Sequence, residues 1–435
     1  MAFDFEDDNY ENIFSEAITI NKYTSQGFEF SSDHKTLLMA PKDIIEFEVP
    51  DFVTTIGPSA FKSCEMLERI VLHDSIRSIA KDAFEYCSAL KTFELPNSIG
   101  IINLSLLYCT SLSSITIPDT VKTIRAFNLR GCKSLKEINL PSSVTYFKQK
   151  WLIECSNLTG ELILPDSLVS TGYHPFKSTG ITRLVFGAGM KTVNNWFARE
   201  CKQLKSIKWH QNITSIEETA FYFCTELTTF ENEFPTNITT IGGSAFYNTP
   251  KLEGENRDLK LLKLTGLGGT AFQNSGIKSV ELGGGLASTG NAFFQAGKLE
   301  SVILHEGVQT VGWDCFPYCT SLTNLVIAST VTTVGDCMRN MGNAELHVWW
   351  KGVAPVGEIT TGSYGLLAGK STAVHHFDIA KKDGWAAFAA SLADTNVSLT
   401  LPPKDTSLSV GSWGYKGAHK VVWYGFPVAT QMIIR

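Results

Sequence analysis

The 435-residue sequence lacks the features that mark several large classes of protein. It has no run of about 18 apolar residues, so it encodes no membrane-spanning helix. It has no basic stripe and carries a net charge of −6, so nothing supplies the phosphate neutralisation that nucleic-acid binding requires. No basic segment followed by an apolar one comes after Met1, so we expect either an intracellular protein or a secretory signal outside this chain.

Motifs of catalysis and of metal binding are also missing. The sequence contains no nucleophile elbow and no HExxH, and the run at 365–371 is one residue too short for a phosphate-binding loop. His375 and His376 are adjacent in a strand-like run, where neighbouring side chains point to opposite faces, so they cannot bind one metal without a bend. No CxxC pair occurs, which disfavours structural zinc. We therefore predict no enzymatic activity, no cofactor and no metal.

What the sequence does contain is one motif that is repeated at a nearly constant interval. The cysteines mark it, with spacings of 23, 22, 23 and 23 residues along Cys64, Cys87, Cys109, Cys132 and Cys155. Self-similarity at such a period predicts a solenoid. Because most cysteines recur at one repeat position, we predict a ladder of buried thiols rather than disulfides. Cys315 and Cys337 precede that position by four residues in neighbouring coils and could approach each other, but we expect both to be unpaired.

Each repeat combines three parts. An apolar strand of the form L-x-x-I-x-L, as at 135–140, is followed by a turn rich in proline and small polar residues. A second extended segment and a compact segment with the Phe and Cys positions complete the repeat. Because side chains alternate along a strand, the apolar residues of the motif point inward and the residues between them lie on an outer face. We predict an α/β horseshoe-type solenoid, β-rich with little helix, with a parallel sheet on one face and about thirteen coils of about 23 residues.

The repeats divide the chain into four successive regions: an acidic, partly mobile N-terminal segment (1–21), an N-terminal hairpin cap (22–48), the solenoid (49–346) and a C-terminal cap or small aromatic-rich β domain (347–435). The solenoid pattern is irregular around 230–264, where we expect drift of the repeat. In the last region, the pattern predicts one helix near 379–392.

The motif I-x-x-I-x-x-x-A-F-x-x-C-x-x-L-x-x-I-x-L-P, best seen at Ile76–Pro96 and Ile213–Phe230, resembles that of the BspA-like leucine-rich-repeat proteins. The resemblance covers roughly residues 22–350 and implies a right-handed leucine-rich-repeat solenoid. It also implies a place on a bacterial or protist surface, where several such proteins act in adhesion to host proteins or to other microbes. The family defines no catalytic residues.

The outward residues of the repeated strands form the candidate binding surface. Solenoids bind partners along such extended faces, and this one is mixed in composition and weakly charged. Its candidate residues are Arg69, Val71, Thr92, Glu94, Ser114, Thr116, Glu137, Asn139, Arg183, Val185 and Lys208. We predict that the face binds a protein, either a host-matrix protein or another cell-surface protein.

Aromatic residues near the end of the chain form a second candidate surface. They include Trp349, Trp350, Trp413, Tyr415 and Trp423. If exposed, these rings could stack on sugars or on a protein partner; alternatively, they form the core of a small terminal cap. The favoured function is thus non-enzymatic binding or adhesion by a cell-surface or secreted protein. Glycan binding by the aromatic region and an intracellular repeat scaffold are the alternatives.

Overall fold

The computed structural model describes residues 20–147, 151–341, 345–352, 373–391, 397–399, 408–415 and 419–424, with the backbone alone in the last three ranges. The expected mobile segment at 1–21 therefore lies almost wholly outside the described residues. By its internal contacts the chain divides into two compact units, Met1–Met190 and Lys191–Arg435.

The first unit consists of short strands in two rows, which we call the sheet face and the second face. The sheet face contains β3 (Glu46–Glu48), β5 (Arg69–Val71), β7 (Thr92–Glu94), β9 (Ser114–Thr116), β11 (Glu161–Ile163) and β12 (Arg183–Val185). The second face contains β2 (Thr36–Met39), β4 (Thr55–Ile56), β6 (Ser78–Ile79), β8 (Ile101–Ser105) and β10 (Thr123–Asn128).

The second unit has the same two rows. Its sheet face contains β14 (Ser206–Lys208), β16 (Thr229–Phe230), β18 (Asp258–Leu261), β20 (Ser279–Leu282), β21 (Ser301–Leu304), β23 (Asn324–Ile327), β25 (Leu346–Trp350), β26 (Ala373–Asp378) and β29 (His419–Tyr424). Its second face contains β13 (Thr192–Val193), β15 (Ser215–Ile216), β17 (Thr240–Ile241), β19 (Gly266–Leu267), β22 (Thr310–Val311) and β24 (Thr333–Val334).

Paired strands of the sheet face run parallel, with equivalent repeat positions opposite each other. In β11 and β12, for example, Glu161 lies opposite Arg183, and the buried Leu162 lies opposite the buried Leu184. Each coil therefore stacks its inward residues on those of the next, which is how a repeat buries a face that it could not bury alone. The predicted solenoid is confirmed: the described chain makes about fourteen turns, with parallel sheets and almost no helix.

The predicted ladder of buried thiols is also present. All ten cysteines are buried as thiols rather than disulfides, including Cys315 and Cys337. The Cys87 sulfur lies 3.1 Å from the carbonyl oxygen of Phe61 in the preceding coil. The same contact recurs in other coils. Each such thiol therefore fills space and adds a second hydrogen bond to a carbonyl that already accepts a backbone N–H, as Phe61 accepts that of Cys64 at 2.9 Å.

The compact segment of each coil forms a third wall, which we call the turn face. The residue directly before the cysteine position has a φ of +50° to +77° in every described coil: Ser63, Tyr86, Tyr108, Gly131, Glu154, Ser178, Glu200, Phe223, Asn248, Asn274, Gln295, Tyr318 and Asn340. This left-handed conformation costs about 1 kcal/mol for a residue with a side chain. It aims the N–H along the stack: Tyr86 donates to the Leu107 carbonyl and Asn248 to the Gln273 carbonyl of the next coil.

The N-terminal end follows the prediction. Residues 20–25 are helical (α1), and β1 (Glu29–Phe30) pairs antiparallel with β2, which forms the expected hairpin. The Asp33 carboxylate accepts the Ser31 hydroxyl at 2.5 Å and the Lys35 N–H at 3.1 Å, which closes the turn. Parallel pairing of β2 with β4 then continues the second face.

The predicted helix near 379–392 is present at the other end, as a 3-10 turn (Ile379–Lys381) followed by α2 (Lys382–Ser391). The predicted boundary at residue 347 falls inside β25, and the sheet continues beyond it. Strand β26 pairs in parallel with β25, and β29 pairs in parallel with β26. Strands β28 (Leu408–Tyr415) and β27 (Val397–Leu399) then close the sheet in antiparallel pairing.

Candidate functional site

Every predicted residue of the sheet face is exposed or half-exposed on the outer side of its coil. The reason is the alternation along each short strand, where a buried residue separates two outward ones. Phe93, for example, is 1% exposed between Thr92 and Glu94, which both lie in solvent. The predicted orientation of these side chains is therefore correct, and their role in binding stays a prediction.

Charged side chains on the sheet face pair along the stack. Arg183 forms an ion pair with Glu161 in the preceding coil, and the Lys91 ammonium lies 2.5 Å from the Glu68 carboxylate. Exposed pairs of this kind contribute about 1 kcal/mol or less to stability. Because they neutralise charges locally, the described side chains of this face present no extended field of one sign.

The hydrogen-bonded ladder of the sheet face breaks between β5 and β7, between β16 and β18, and at the coil that contains Glu137 and Asn139. The L-x-x-I-x-L pattern predicts a strand over 135–140, but these residues form no strand, so that prediction is wrong. Ile138 still points inward and is 8% exposed, whereas Leu140 is only half-buried. Glu137 and Asn139 therefore project outward from a segment outside the hydrogen-bonded ladder.

An inserted residue in the next coil accounts for the interruption. In the motif the first two apolar residues are three positions apart, whereas Leu158 and Leu162 are four positions apart. The extra residue is Gly160, with a φ of +85° that favours glycine. The resulting bulge shifts the start of β11 relative to the preceding coil, so the ladder between them does not form.

A cleft of about 300 Å³ lies at this interruption, lined by 136–139, 158–162 and Ile181. Its apolar lining is buried, with Leu158, Leu162 and Ile181 at most 3% exposed. Polar lining residues such as Thr159 are exposed. The cleft therefore combines an apolar floor with a polar rim in the middle of the predicted binding face.

A wider groove of about 510 Å³ lies on the second face of the second unit, over β15, β17 and β19. The hydroxyl oxygens of Ser215 and Thr240 are 2.6 Å apart, and the Glu217 carboxylate accepts the Asn195 N–H at 2.9 Å. Gly266 occupies the outward position where the two preceding strands carry Ser215 and Thr240. The missing side chain widens the groove.

The turn face of the second unit carries an aromatic cluster that the sequence reasoning missed. The Arg199 guanidinium lies 4.0 Å from the Trp196 ring and 4.8 Å from the Tyr222 ring. Tyr222 stacks on Tyr247 at 4.9 Å, and Phe223 lies 5.6 Å from Tyr247. Arg199, Tyr222 and Tyr247 follow the same buried Phe/Ala pair in successive coils, and that shared position was the available signal.

The candidate aromatic residues near the C-terminus are not one exposed surface. Trp350 is 2% exposed and packs 4.9 Å from Trp385, so its proposed contact with a partner is wrong. Trp349 is half-exposed on the outer side of β25. The side chains of Trp413, Tyr415 and Trp423 lie outside the described residues.

The two adjacent histidines point to opposite faces, as predicted. His375 is fully buried and accepts the Trp350 indole N–H at 3.1 Å. His376 stacks on Trp349 at 3.7 Å, and its Nε2 lies 2.9 Å from the Nδ1 of His347. Burial, and secondarily the nearby His347, lower the pKa of His376 to about 4. In this contact one imidazole donates a ring N–H to the unprotonated nitrogen of the other.

Within the described ranges, no three or more His, Cys, Asp or Glu side chains are placed to hold a metal ion. No helix there is long and apolar enough to cross a membrane. Burial raises the pKa of Cys87 and Cys155 to about 12, so these thiols stay protonated and are poor nucleophiles.

Comparison with solved structures finds several repeat proteins of similar fold. A leucine-rich-repeat protein from Bacteroides ovatus is 21% identical, with a TM-score of 0.47, over 74% of this chain and 92% of that one. A leucine-rich cell-surface protein from Faecalibacterium prausnitzii is 17% identical, with a TM-score of 0.35, over 69% and 92%. The pneumococcal vaccine antigen PcpA is 14% identical, with a TM-score of 0.37, over 79% and 86%. No curated protein matches the chain.

The family model of the BspA type leucine-rich-repeat region matches six copies, over 38–159, 154–253 and 233–342. These ranges cover most of the solenoid and include the cysteine ladder, the turn face and the sheet face from β3 to β23. Repeat proteins of this kind serve as scaffolds for protein interaction. The chain therefore belongs to the BspA-type leucine-rich-repeat family.

Proposed function

We propose that this protein binds another protein through the sheet face of its repeats and that it has no enzymatic activity. The observation that carries the proposal is the run of parallel strands from β18 to β26 in the second unit. Along this run, outward side chains at equivalent positions stack into rows, as Ser279 and Ser301 do. Extended rows of mixed polar and apolar side chains are the surface on which solenoids bind partners.

The proposal includes a place at the cell surface or outside the cell, with adhesion as the role. Resemblance to BspA-like proteins supports this placement. Labelling of intact cells that express the full gene, with a membrane-impermeant biotin reagent, tests it. Labelling only after lysis would instead support the intracellular scaffold.

A panel of extracellular-matrix proteins tests the binding face. Glu94→Arg with Thr116→Arg places two long cations on neighbouring strands of the sheet face, where both residues are exposed. Ser75→Arg with Ser78→Arg is the control, because these residues are exposed away from that face. We expect the first pair to weaken binding at least about tenfold and the control to leave it within about twofold. Equal effects of the two pairs would contradict the proposal.

Glycan binding is a second candidate function, favoured by the groove on the second face of the second unit. Ser215, Thr240 and Glu217 offer hydroxyl and carboxylate partners for a hydroxyl-rich ligand. Trp196 follows Asn195, which lines the groove, in the sequence. The backbone N–H of Trp196 donates to the carbonyl of Glu218, another lining residue, at 3.1 Å.

The glycine in this groove allows a direct test on an array of neutral and acidic oligosaccharides. Gly266→Ser fills the space that the missing side chain leaves in the groove. The backbone tolerates the change, because the nearest atom to an added Cβ is Thr240 Cγ2 at 3.3 Å. Gly100→Ser in the first unit is the matched control, with no atom closer than 3.8 Å. Loss of glycan binding in the first variant alone would support this function. Binding unchanged in both would place any glycan site elsewhere.

A further inference from the structure

The interruption of the sheet face leaves strand edges open. Strand β11 pairs with β12 on one side, so its other edge faces the cleft and the segment at 136–139. In intact parts of the ladder, the residue after the strand donates to the next coil, as Leu95 does to the Thr116 carbonyl at 3.2 Å. Within the described residues, Leu140 makes no such bond. Backbone groups at this edge are therefore free to pair with another chain.

We propose that this cleft is the docking point for an extended segment of the protein partner. The segment adds its backbone to the open edge of β11 and places one apolar side chain against Leu158, Leu162 and Ile181. This inference rests on the proposed function, since it locates the anchor of the partner within the sheet face.

The size of the cleft favours a peptide side chain over a small-molecule ligand. A volume of about 300 Å³ is at the lower limit of small-molecule sites. Strand addition to an exposed edge takes affinity from main-chain hydrogen bonds and specificity from pockets for alternate side chains. The open edge and the apolar floor supply both requirements at one place.

The rim adds a charge preference. Glu137 is exposed and, within the described residues, has no cationic partner, whereas Glu161 is paired with Arg183. A basic residue beside the inserted apolar side chain would pair with Glu137. The partner segment is therefore expected to be extended, with an apolar residue next to a lysine or arginine.

A phage-displayed library of random linear peptides, selected on the whole chain, provides the probe. Thr159→Arg introduces a long side chain at an exposed position that lines the cleft, so it blocks the cleft without removing buried contacts. Thr145→Arg is the matched control, because Thr145 is exposed in the same coil as Glu137 but does not line the cleft. We expect Thr159→Arg to weaken binding of the selected peptides at least about tenfold, and Thr145→Arg less than about twofold.

Deletion of Gly160 supplies a second variant that does not depend on a new side chain. The deletion restores three steps between Leu158 and Leu162, so the ladder can close. We expect thermal stability to be retained or raised and peptide binding to be lost. Hydrogen exchange at 137–140 should slow both in this variant and in the wild type with peptide bound.

The outcomes separate this inference from the proposed function. Peptides or matrix proteins that bind the sheet face but tolerate both Thr159→Arg and the deletion would overturn the cleft and leave the proposed face intact. Binding that is insensitive to every sheet-face variant would overturn both. If the selected peptides lack the expected apolar–basic pair but no longer bind the Thr159→Arg variant, the charge preference would be wrong and the docking point would stand.

Discussion

The ring of Phe272 lies parallel to that of Phe293, with centroids 5.6 Å apart and planes inclined by 2°. Phe246 stacks on the other side of Phe272 at 5.5 Å and 1°. All three rings are at most 1% exposed. A phenylalanine at this position therefore packs against the equivalent residue of both neighbouring coils, and each ring supports two interfaces between coils.

Truncation of Phe272 should be among the most destabilising single changes in the second unit. Phe272→Ala removes a buried ring from a column that cannot close the gap without moving two coils, so we expect a loss of about 3–5 kcal/mol. Phe272→Leu retains much of the volume and should cost less. Denaturant unfolding followed by circular dichroism measures the free energy of unfolding of both variants. Equal and small decreases in the two variants would show that the column of rings is not a main source of stability.

The cysteine ladder predicts both a reactivity and a pH dependence. A thiol reagent should label none of the ten cysteines in the folded chain and all ten in denaturant. Burial raises the pKa of Cys87, Cys155 and Cys315 to about 12 from an ordinary value of 9.0. Their contribution to stability is therefore complete below pH 9 and declines as the pH rises towards 12, by up to about 1.4 kcal/mol per pH unit for each thiol.

Alanine and serine substitutions separate this ladder from general alkaline denaturation. Cys155→Ser keeps a donor to the Leu129 carbonyl, which the sulfur now reaches at 3.1 Å, while Cys155→Ala removes it. Either change should make the alkaline loss of stability shallower, because one titrating thiol is gone. An unchanged slope in both variants would show that these thiols do not govern it.

The left-handed residues of the turn face predict opposite effects for two reciprocal changes. Gly131→Ala would place a Cβ 2.4 Å from the Tyr108 ring at a φ of +77°, so we expect a loss of about 1–3 kcal/mol. Ser63→Gly removes a side chain from an exposed residue with a φ of +57° and should be neutral or slightly stabilising. Thermal unfolding compares the two, and equal destabilisation would argue against strain at this row.

The inward positions of the coils could be predicted because their spacing and chemistry hardly vary. The spacing of Cys64 and Cys87 gives the length of the repeat, and the apolar residues between them identify the core. The left-handed row could not be read in this way. Tyr86, Glu154 and Asn248 share one backbone conformation but no side-chain chemistry, since the requirement there is an N–H direction rather than a packed side chain.

The interrupted coil shows a different limit. The run at 135–140 matches the strand pattern letter for letter, yet its pairing depends on a neighbour 23 residues away. One inserted glycine, Gly160, in that neighbour removes the ladder. A pattern reports which residues face inward, whereas strand formation in a solenoid also requires the next coil to be in register. The predicted orientation of Glu137 and Asn139 was thus correct although the strand was not.

Acid should loosen the end of the sheet at β26. The pKa of His376 is lowered from 6.5 to about 4, chiefly by burial, so the folded chain holds this ring neutral. Between pH 6.5 and 4 the unfolded segment binds a proton that the folded one does not, and stability falls as the pH falls. This stability is complete above pH 6.5, and its loss by pH 4 is roughly 3 kcal/mol.

Hydrogen exchange of the peptide that covers Ala373–Asp378, corrected for intrinsic rates, measures this loosening. His347 and Glu345 lie beside His376, with the His347 Nε2 3.4 Å from the Glu345 carboxylate and the His347 Nδ1 2.9 Å from the His376 Nε2. His376→Gln keeps a polar side chain without a titrating group and should exchange at a rate that hardly depends on pH. Glu345→Gln is the control, because it removes the carboxylate beside His347 and leaves the His376 ring in place, so the transition should persist. Exchange that accelerates equally in acid for the wild type and His376→Gln would assign the loosening to another group.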